Sequence, residues 1–231
     1  LVIVLMTSCG EYQSLLKSND YNLVYKKAIE YYNKGDYQRA MNLLDGVRSV
    51  FVGQAKAQNI AYYRAFCSYN MKDYQIASDL FKQFIQTYPE SSFAEECLYM
   101  MGFCDYKASP KPRLDQQVTE KAIREFQLYL SRYPYSMRKD KVNTYMDEMR
   151  DKLSYKAYLS AKNYYLREHY KAAVISLQNC LKDYPGSKYR EEIMYMLFVS
   201  KYQMAVNSVE DKKVERYNNA REEYYYFADE Y

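Results

Sequence analysis

"YNKGDYQRA" occupies residues 32–40, and its reading decides the fold. The stretch has a tyrosine, a polar turn around Lys34, Gly35 and Asp36, and then Tyr37 and Ala40. The chain writes nearly the same thing at 69–77, "YNMKDYQIA", and again at 165–173, "YLREHYKAA". Apolar residues on both sides of each copy recur at helical spacing, so each copy reads as the turn of a helix pair. A helix pair repeated along a chain buries little by itself, but stacked neighbours share a continuous core. An all-α array is therefore expected.

Longer comparison extends the unit. "YKKAIEYYNKGDYQRAMNLLDGV" (25–47) and "YYRAFCSYNMKDYQIASDLFKQFIQTYP" (62–89) each carry a small residue in the first helix, Ala28 or Ala65. Each has a second in the next helix, Ala40 or Ala77, and a bulky residue four positions on, Leu44 or Phe81. Tyr88-Pro89 closes the second unit, because proline cannot continue the hydrogen-bond ladder. The third copy has Gly102, Ala122, Phe126 and Tyr133-Pro134. The fourth has Ala161, Ala173, Leu177 and Tyr184-Pro185. A fifth has Ala220 and Tyr224 without a closing proline, so the natural chain is expected to continue. These features resemble the tetratricopeptide repeat, which implies a right-handed superhelical solenoid of about five helix pairs.

Spacing is regular except at three places. Tyr32, Tyr69 and Tyr106 are 37 residues apart, as are Tyr165 and Tyr202, whereas Tyr106 to Tyr165 is 59. Eight extra residues fall in the third turn, "KASPKPRLDQQV" (107–118), which reads equally as a tolerated insertion or a contact loop. Fourteen more follow Pro134, where Val142, Met146, Met149 and Leu153 keep helical spacing. Fourteen residues are close to four helical turns, so the fourth unit's first helix lengthens without rotating its face. About ten extra residues are expected in the fifth turn, "NSVEDKKVE" (207–215).

Composition agrees with helices and narrows the chemistry. The 231 residues include only six Gly and five Pro, and 48% are hydrophobic. The net charge of +4 is spread among acids with no Lys/Arg block, which argues against nucleic acid as a partner. Cys67, Cys97, Cys104 and Cys180 lie in apolar helical patterns and read as small buried hydrophobes. His169 is the single histidine and falls in a turn, so a Cys/His metal site has almost no material. No nucleophile-elbow, Walker or dinucleotide pattern occurs. The acid pairs Glu95-Glu96 and Glu191-Glu192 open helices, where they complement the macrodipole. The chain is read as non-enzymatic, with no metal and no cofactor.

The front of the chain, "LVIVLMTSCGEYQSLLKSND", starts with an uncharged stretch too short for a bilayer, which needs about 20 apolar residues. It fits the end of a secretory signal at 1–8, with earlier residues missing. "MTSC" resembles a bacterial lipobox, which implies lipidation at Cys9, a covalent lipid anchor, and a tether over 9–20. By analogy with lipoprotein sorting, Gly10 after the cysteine implies the outer membrane rather than retention at the inner one.

Tyrosine is the anomaly: 31 Tyr against nine Phe and no Trp. Tyr25 and Tyr32, Tyr62 and Tyr69, Tyr99 and Tyr106, Tyr158 and Tyr165, and Tyr195 and Tyr202 form one pair per unit, seven apart. Seven residues place both rings on one helix face. That ladder suits capture of an extended peptide, because a rigid amphipathic ring gives large contact area at low entropy cost. The same rings equally fill the gaps between neighbouring units.

Taken together, the lipobox, the five units, the enlarged third turn and the long fourth helix resemble the BamD family. That family comprises lipoprotein subunits of the outer-membrane β-barrel assembly machinery. The likeness is most specific over 74–106 and 147–192, and residues 114–134 look like the version in Bacteroidetes. It implies that units 1–3 (21–138) receive unfolded outer-membrane β-barrel clients and units 4–5 (139–231) dock a BamA-like barrel subunit. It also implies Tyr25, Tyr32, Tyr62, Tyr69, Tyr99 and Tyr106 as client-facing, and an outer-membrane location facing the periplasm. Two other readings are a periplasmic repeat adaptor for the cell envelope or division, and a glycan-capture lipoprotein, which is usually much longer.

Overall fold

The computed structural model describes the backbone of residues 3–231 and the side chains of residues 10–231. Eleven helices and no strand are found among the described residues. They are α1 (Ile3–Leu16), α2 (Tyr21–Asn33), α3 (Tyr37–Val47), α4 (Ala55–Asn70), α5 (Tyr74–Thr87) and α6 (Ala94–Ala108). There follow α7 (Gln117–Arg132), α8 (Lys139–Leu166), α9 (Tyr170–Asp183), α10 (Arg190–Val206) and α11 (Glu210–Glu230). The fold is an all-α array of tetratricopeptide-type helix pairs. None of the described helices is long and apolar enough to cross a membrane.

The repeated turn has a backbone cause. Gly35, Lys72 and Glu168 occupy the same place in three turns and all have positive φ, at 81°, 68° and 60°. Each lets the next residue's N–H reach back to a carbonyl of the preceding helix. Asp36 donates to Tyr31, Asp73 to Ser68 and His169 to Tyr164, each at 3.0 Å. That hydrogen-bond closure needs one left-handed residue, which glycine adopts without strain and lysine or glutamate only at a cost. Asp36 then caps α3, its carboxylate accepting the Arg39 N–H at 3.2 Å.

Second helices bury one stripe. Ala40, Leu43, Leu44 and Val47 in α3, and Ala77, Phe81 and Phe84 in α5, are all buried. Their spacing of three, four and seven residues is one helix face. Small residues let the first helices come close: a Cβ built on Gly102 would meet Phe126 Cδ1 at 2.9 Å. The four cysteines Cys67, Cys97, Cys104 and Cys180 are buried and unpaired, as their apolar surroundings predict.

The chain divides into two compact units, residues 1–110 with 117–145, and residues 111–116 with 146–231. In the first, the core around α1 to α4 gathers Leu15, Val24, Ala28, Leu43, Leu44, Phe51 and Ile60. A polar knot lies deeper, where Lys121 meets Asp105 at 2.8 Å and Glu125 at 3.7 Å. Ser78 donates to the same Asp105 oxygen at 3.0 Å. In the second unit Tyr158, Ala161, Ala173, Leu177, Ile193 and Leu197 form the core.

Two expectations are corrected. Residues 11–16 are helical rather than part of a tether: Leu15 is buried, Tyr12 meets Tyr31 edge-on at 6.0 Å, and Glu11 pairs with Lys27 at 2.8 Å. Tyr12 and Leu15, three residues apart on one helix edge, are the apolar contacts that repeat 1 covers. The side chain of Cys9 lies outside the described residues. The extra residues of the fifth turn are not a loop either, because α11 starts at Glu210 and leaves only 207–209 between helices. "EDKKVER" consists mostly of good helix formers, opens with Glu210 and Asp211 in the first turn, and is tied by a Glu210–Lys213 pair at 2.6 Å. The insertion in the third turn is a loop, 109–116, and α8 is a single 28-residue helix, as its spacing predicts.

Candidate functional site

Helical spacing builds a cleft in the first unit. Tyr25, Ile29 and Asn33 line up along α2, while Asn59, Tyr62 and Tyr63 share a face of α4. Together with Lys26, Glu30 and Phe93, just before α6, they enclose about 490 Å³. Tyr25 is steadied by Phe51, with ring centroids 6.1 Å apart, and by the Lys56 ammonium 5.6 Å from its ring. Tyr62 lies against Phe66 at 4.5 Å and Phe93 at 4.6 Å, and its hydroxyl donates to Glu96 at 2.8 Å. Burial first, then that carboxylate, pushes the Tyr62 hydroxyl up, so it stays a protonated donor.

The six candidate tyrosines divide by environment. Tyr25 and Tyr62 line the cleft. Tyr32 packs against Tyr37 at 5.4 Å and Tyr63 at 4.9 Å, and burial raises its hydroxyl to about 12. Tyr69 sits among Phe66, Tyr74 and Phe103. Tyr99 is buried beside Phe103, Tyr129 and the Arg138 guanidinium, 4.8 Å from its ring. Tyr106 stacks on Tyr145 at 4.4 Å. These four form an aromatic seam between repeats, while Tyr25 and Tyr62 open to the cleft.

Sequence reasoning does not single out Ile29, Asn33, Asn59, Tyr63 or Phe93. Phe93 carries a signal: an aromatic residue before a helix with glutamate three positions on occurs at Phe93–Glu96 and again at Tyr189–Glu192. In the second unit Tyr189 stacks on Tyr158 at 4.3 Å, and the Tyr158 hydroxyl donates to Glu192 at 2.6 Å. Lys162 completes that knot, reaching Glu192 at 2.6 Å and the Tyr158 oxygen at 2.7 Å. The glutamates that open helices are thus also acceptors for the preceding repeat's tyrosine.

Chemically the cleft offers aromatic faces, two carboxamides, and the oppositely charged Lys26 and Glu30. An apolar side chain fits between the rings, and amides on α2 and α4 meet peptide N–H and C=O groups. Burial pushes the thiols of Cys67 and Cys97 up to about 12, far from a reactive thiolate at neutral pH.

The YfiO family model, described as an outer membrane lipoprotein, matches residues 17–217. The chain belongs to this family. The match supports the BamD-like resemblance and with it an outer-membrane location. Among solved structures, the TPR2AB-domain:pHSP90 complex of yeast Sti1 is 12% identical, covering 88% of this chain and 77% of that one, with a TM-score of 0.44. MamA of AMB-1 is 14% identical, covering 87% and 90%, with a TM-score of 0.36. No curated protein matches.

Proposed function

We propose that the chain is a non-enzymatic scaffold of the outer-membrane β-barrel assembly machinery, holding unfolded barrel clients in the α2–α4 cleft. The observation that carries this reading is the convergence of Tyr25, Ile29, Asn33, Asn59, Tyr62 and Phe93 on one opening of about 490 Å³. A strand-like client that ends in an aromatic residue has a ring to insert and backbone groups to pair, and such a cleft serves both. Membership of an outer membrane lipoprotein family supports the setting. Cys9 carries the lipid, the protein faces the periplasm, and the C-terminal repeats dock a BamA-like barrel subunit. Anchoring keeps the scaffold in the membrane plane and raises its effective concentration beside that subunit.

The test is binding of a peptide from a barrel protein's C-terminus to Tyr25→Ser and Asn59→Ala variants. Each is expected to bind about tenfold more weakly, the loss of one ring contact or one buried hydrogen bond. Unchanged binding by folded variants would sink the cleft assignment. For the anchor, Cys9→Ala is expected to leave a folded protein outside the outer-membrane fraction, and normal fractionation would remove it.

A further inference from the structure

The third turn is longer than its neighbours, and its sequence alone reads equally as a tolerated insertion or a contact loop. In the structure it is braced. Pro112 and Arg113 form the middle of a β-turn, closed by the Leu114 N–H donating to the Lys111 carbonyl at 3.0 Å. Proline presets the backbone at the second position of such a turn. Gln116, 4% exposed, donates its carboxamide to the carbonyls of Lys111 at 2.9 Å and Leu114 at 3.1 Å. Lys156 of α8 reaches the same Leu114 carbonyl at 2.7 Å. A buried amide and a lysine thus hold the loop from two sides, and residues 111–116 belong with α8 to the second compact unit. An unconstrained insertion has no need of either.

Bracing the turn sets Arg113 beside a stripe of α8. Lys156, Ser160 and Asn163, with Leu159 and Leu166, lie on one helix face at steps of three, four and seven residues. Together with Arg113 and Lys162 they enclose about 490 Å³, and no carboxylate is among the lining residues. Glu192 neutralises Lys162 at 2.6 Å. Lys156 donates to an uncharged carbonyl, and Arg113 is exposed. Two positive charges, a hydroxyl and a carboxamide therefore line one pocket. Such a set suits a phosphate, because a guanidinium grips two of its oxygens in a fork and an ammonium adds a point charge.

The stripe changes character along its length. From Lys156 to Leu166 is about 15 Å of helix, at about 1.5 Å per residue. It is polar beside the turn and ends in a leucine that is 67% exposed. A free phosphate has no use for that leucine, whereas a phosphate joined to an acyl chain has.

We propose that the pocket between the 111–116 turn and α8 binds an anionic phospholipid. Its phosphate sits on Arg113 and Lys156, and its acyl portion runs along Leu159 and Leu166. Membership of an outer membrane lipoprotein family puts such a lipid within reach of the chain. The α2–α4 cleft lies in the other unit and sets Lys26 against Glu30, so it differs from this pocket in place and in charge.

The probe is dihexanoyl phosphatidylglycerol below its micelle concentration, titrated into the whole chain, so that anchoring to a bilayer does not enter the measurement. One-to-one binding is expected, with slowed amide exchange over 111–116 and 156–166. Arg113→Gln is expected to weaken it about tenfold or more, through loss of a charge-assisted contact. Leu166→Ser is expected to weaken it by about tenfold, through lost apolar burial. Both side chains are exposed, and unchanged helical circular dichroism verifies the fold of each variant. Glycerophosphoglycerol, the same phosphodiester without acyl chains, is expected to bind about tenfold more weakly and to be indifferent to Leu166→Ser. Tyr25→Ser is expected to bind the lipid normally. Lipid binding that ignores Arg113→Gln, or protection confined to α2 and α4, overturns the proposal. Glycerophosphoglycerol binding as tightly as the lipid makes this a site for free phosphodiesters. A polyglutamate peptide that binds more tightly than the lipid makes it a docking point for acidic protein. Either result overturns the proposal as well.

Discussion

Tyr158 and Tyr195 stand one repeat apart at the same place in their helices, and the chain treats them differently. Tyr158 is sandwiched with Tyr189 and held by Glu192 and Lys162. Tyr195 is half-exposed, with the Phe227 ring 6.1 Å from it. Identical residues at identical register therefore have different roles, set by whether a following helix arrives with an aromatic and an acid. The ladder is a packing device wherever a following helix covers it, and the cleft beside Tyr25 and Tyr62 is where an inner gap stays open.

The sharpest way to break this comparison is truncation of the bulky second-helix residue. Phe81→Ala is expected to cost about 3–5 kcal/mol and Leu177→Ala about 2–5 kcal/mol in denaturant unfolding. Tyr224→Ala should cost less than about 1 kcal/mol, since much of the ring already meets water. Equal losses at Phe81 and Tyr224 would show that repeat 5 is buried like the rest.

Electrostatics gives the next effect. Burial, with Asp105 adding to it against the pull of Lys121, raises the Glu125 carboxyl from an ordinary 4.5 to about 8. The folded state then holds a proton that the unfolded chain releases, so this group's contribution is full below pH 4.5 and is lost as pH climbs through about 8. Glu125→Gln is expected to flatten the fall in stability between those values and to stabilise the protein by about 1–3 kcal/mol at the alkaline end, because one carboxylate oxygen there is buried without a partner. Parallel melting curves of both proteins across that range would refute it.

Removing hydroxyls probes the comparison at its own residues. Tyr158→Phe should cost about 0.5–1.5 kcal/mol by leaving Glu192 with one fewer donor, while Tyr195→Phe should be near neutral. The smallest effect lies in the turns. Glu168→Gly relieves a left-handed backbone, which glycine adopts freely, and is expected to gain up to about 1 kcal/mol; a loss would mean that the glutamate side chain has a role.

Much of the fold is legible in the sequence because its cause is local. The left-handed turn position, the small residue at the crossing and the closing proline each leave a mark at fixed spacing, so helix pairs, their number and the lengthened α8 can be read directly. The fifth turn misleads because a run of polar residues is also compatible with the exposed face of a helix, and "EDKKVER" continues α11. The front misleads for the opposite reason: "EYQSLL" has too few apolar residues to announce a core helix, and repeat 1 supplies the face that buries Leu15.

The site is legible only by residue type. Tyr25 and Tyr62 can be placed on a common helix face, but so can Tyr32, Tyr69, Tyr99 and Tyr106, and spacing along one helix says nothing about what the next helix brings. By itself the sequence determined the all-α repeat architecture and the regular tyrosine register, since both follow from short-range backbone and periodicity rules. Only the tertiary structure decided which tyrosines are covered and which are open. That depends on contacts across about one repeat length, from Tyr62 to Glu96 or from Tyr158 to Glu192, and on the absence of such a contact at Tyr195 among the described residues.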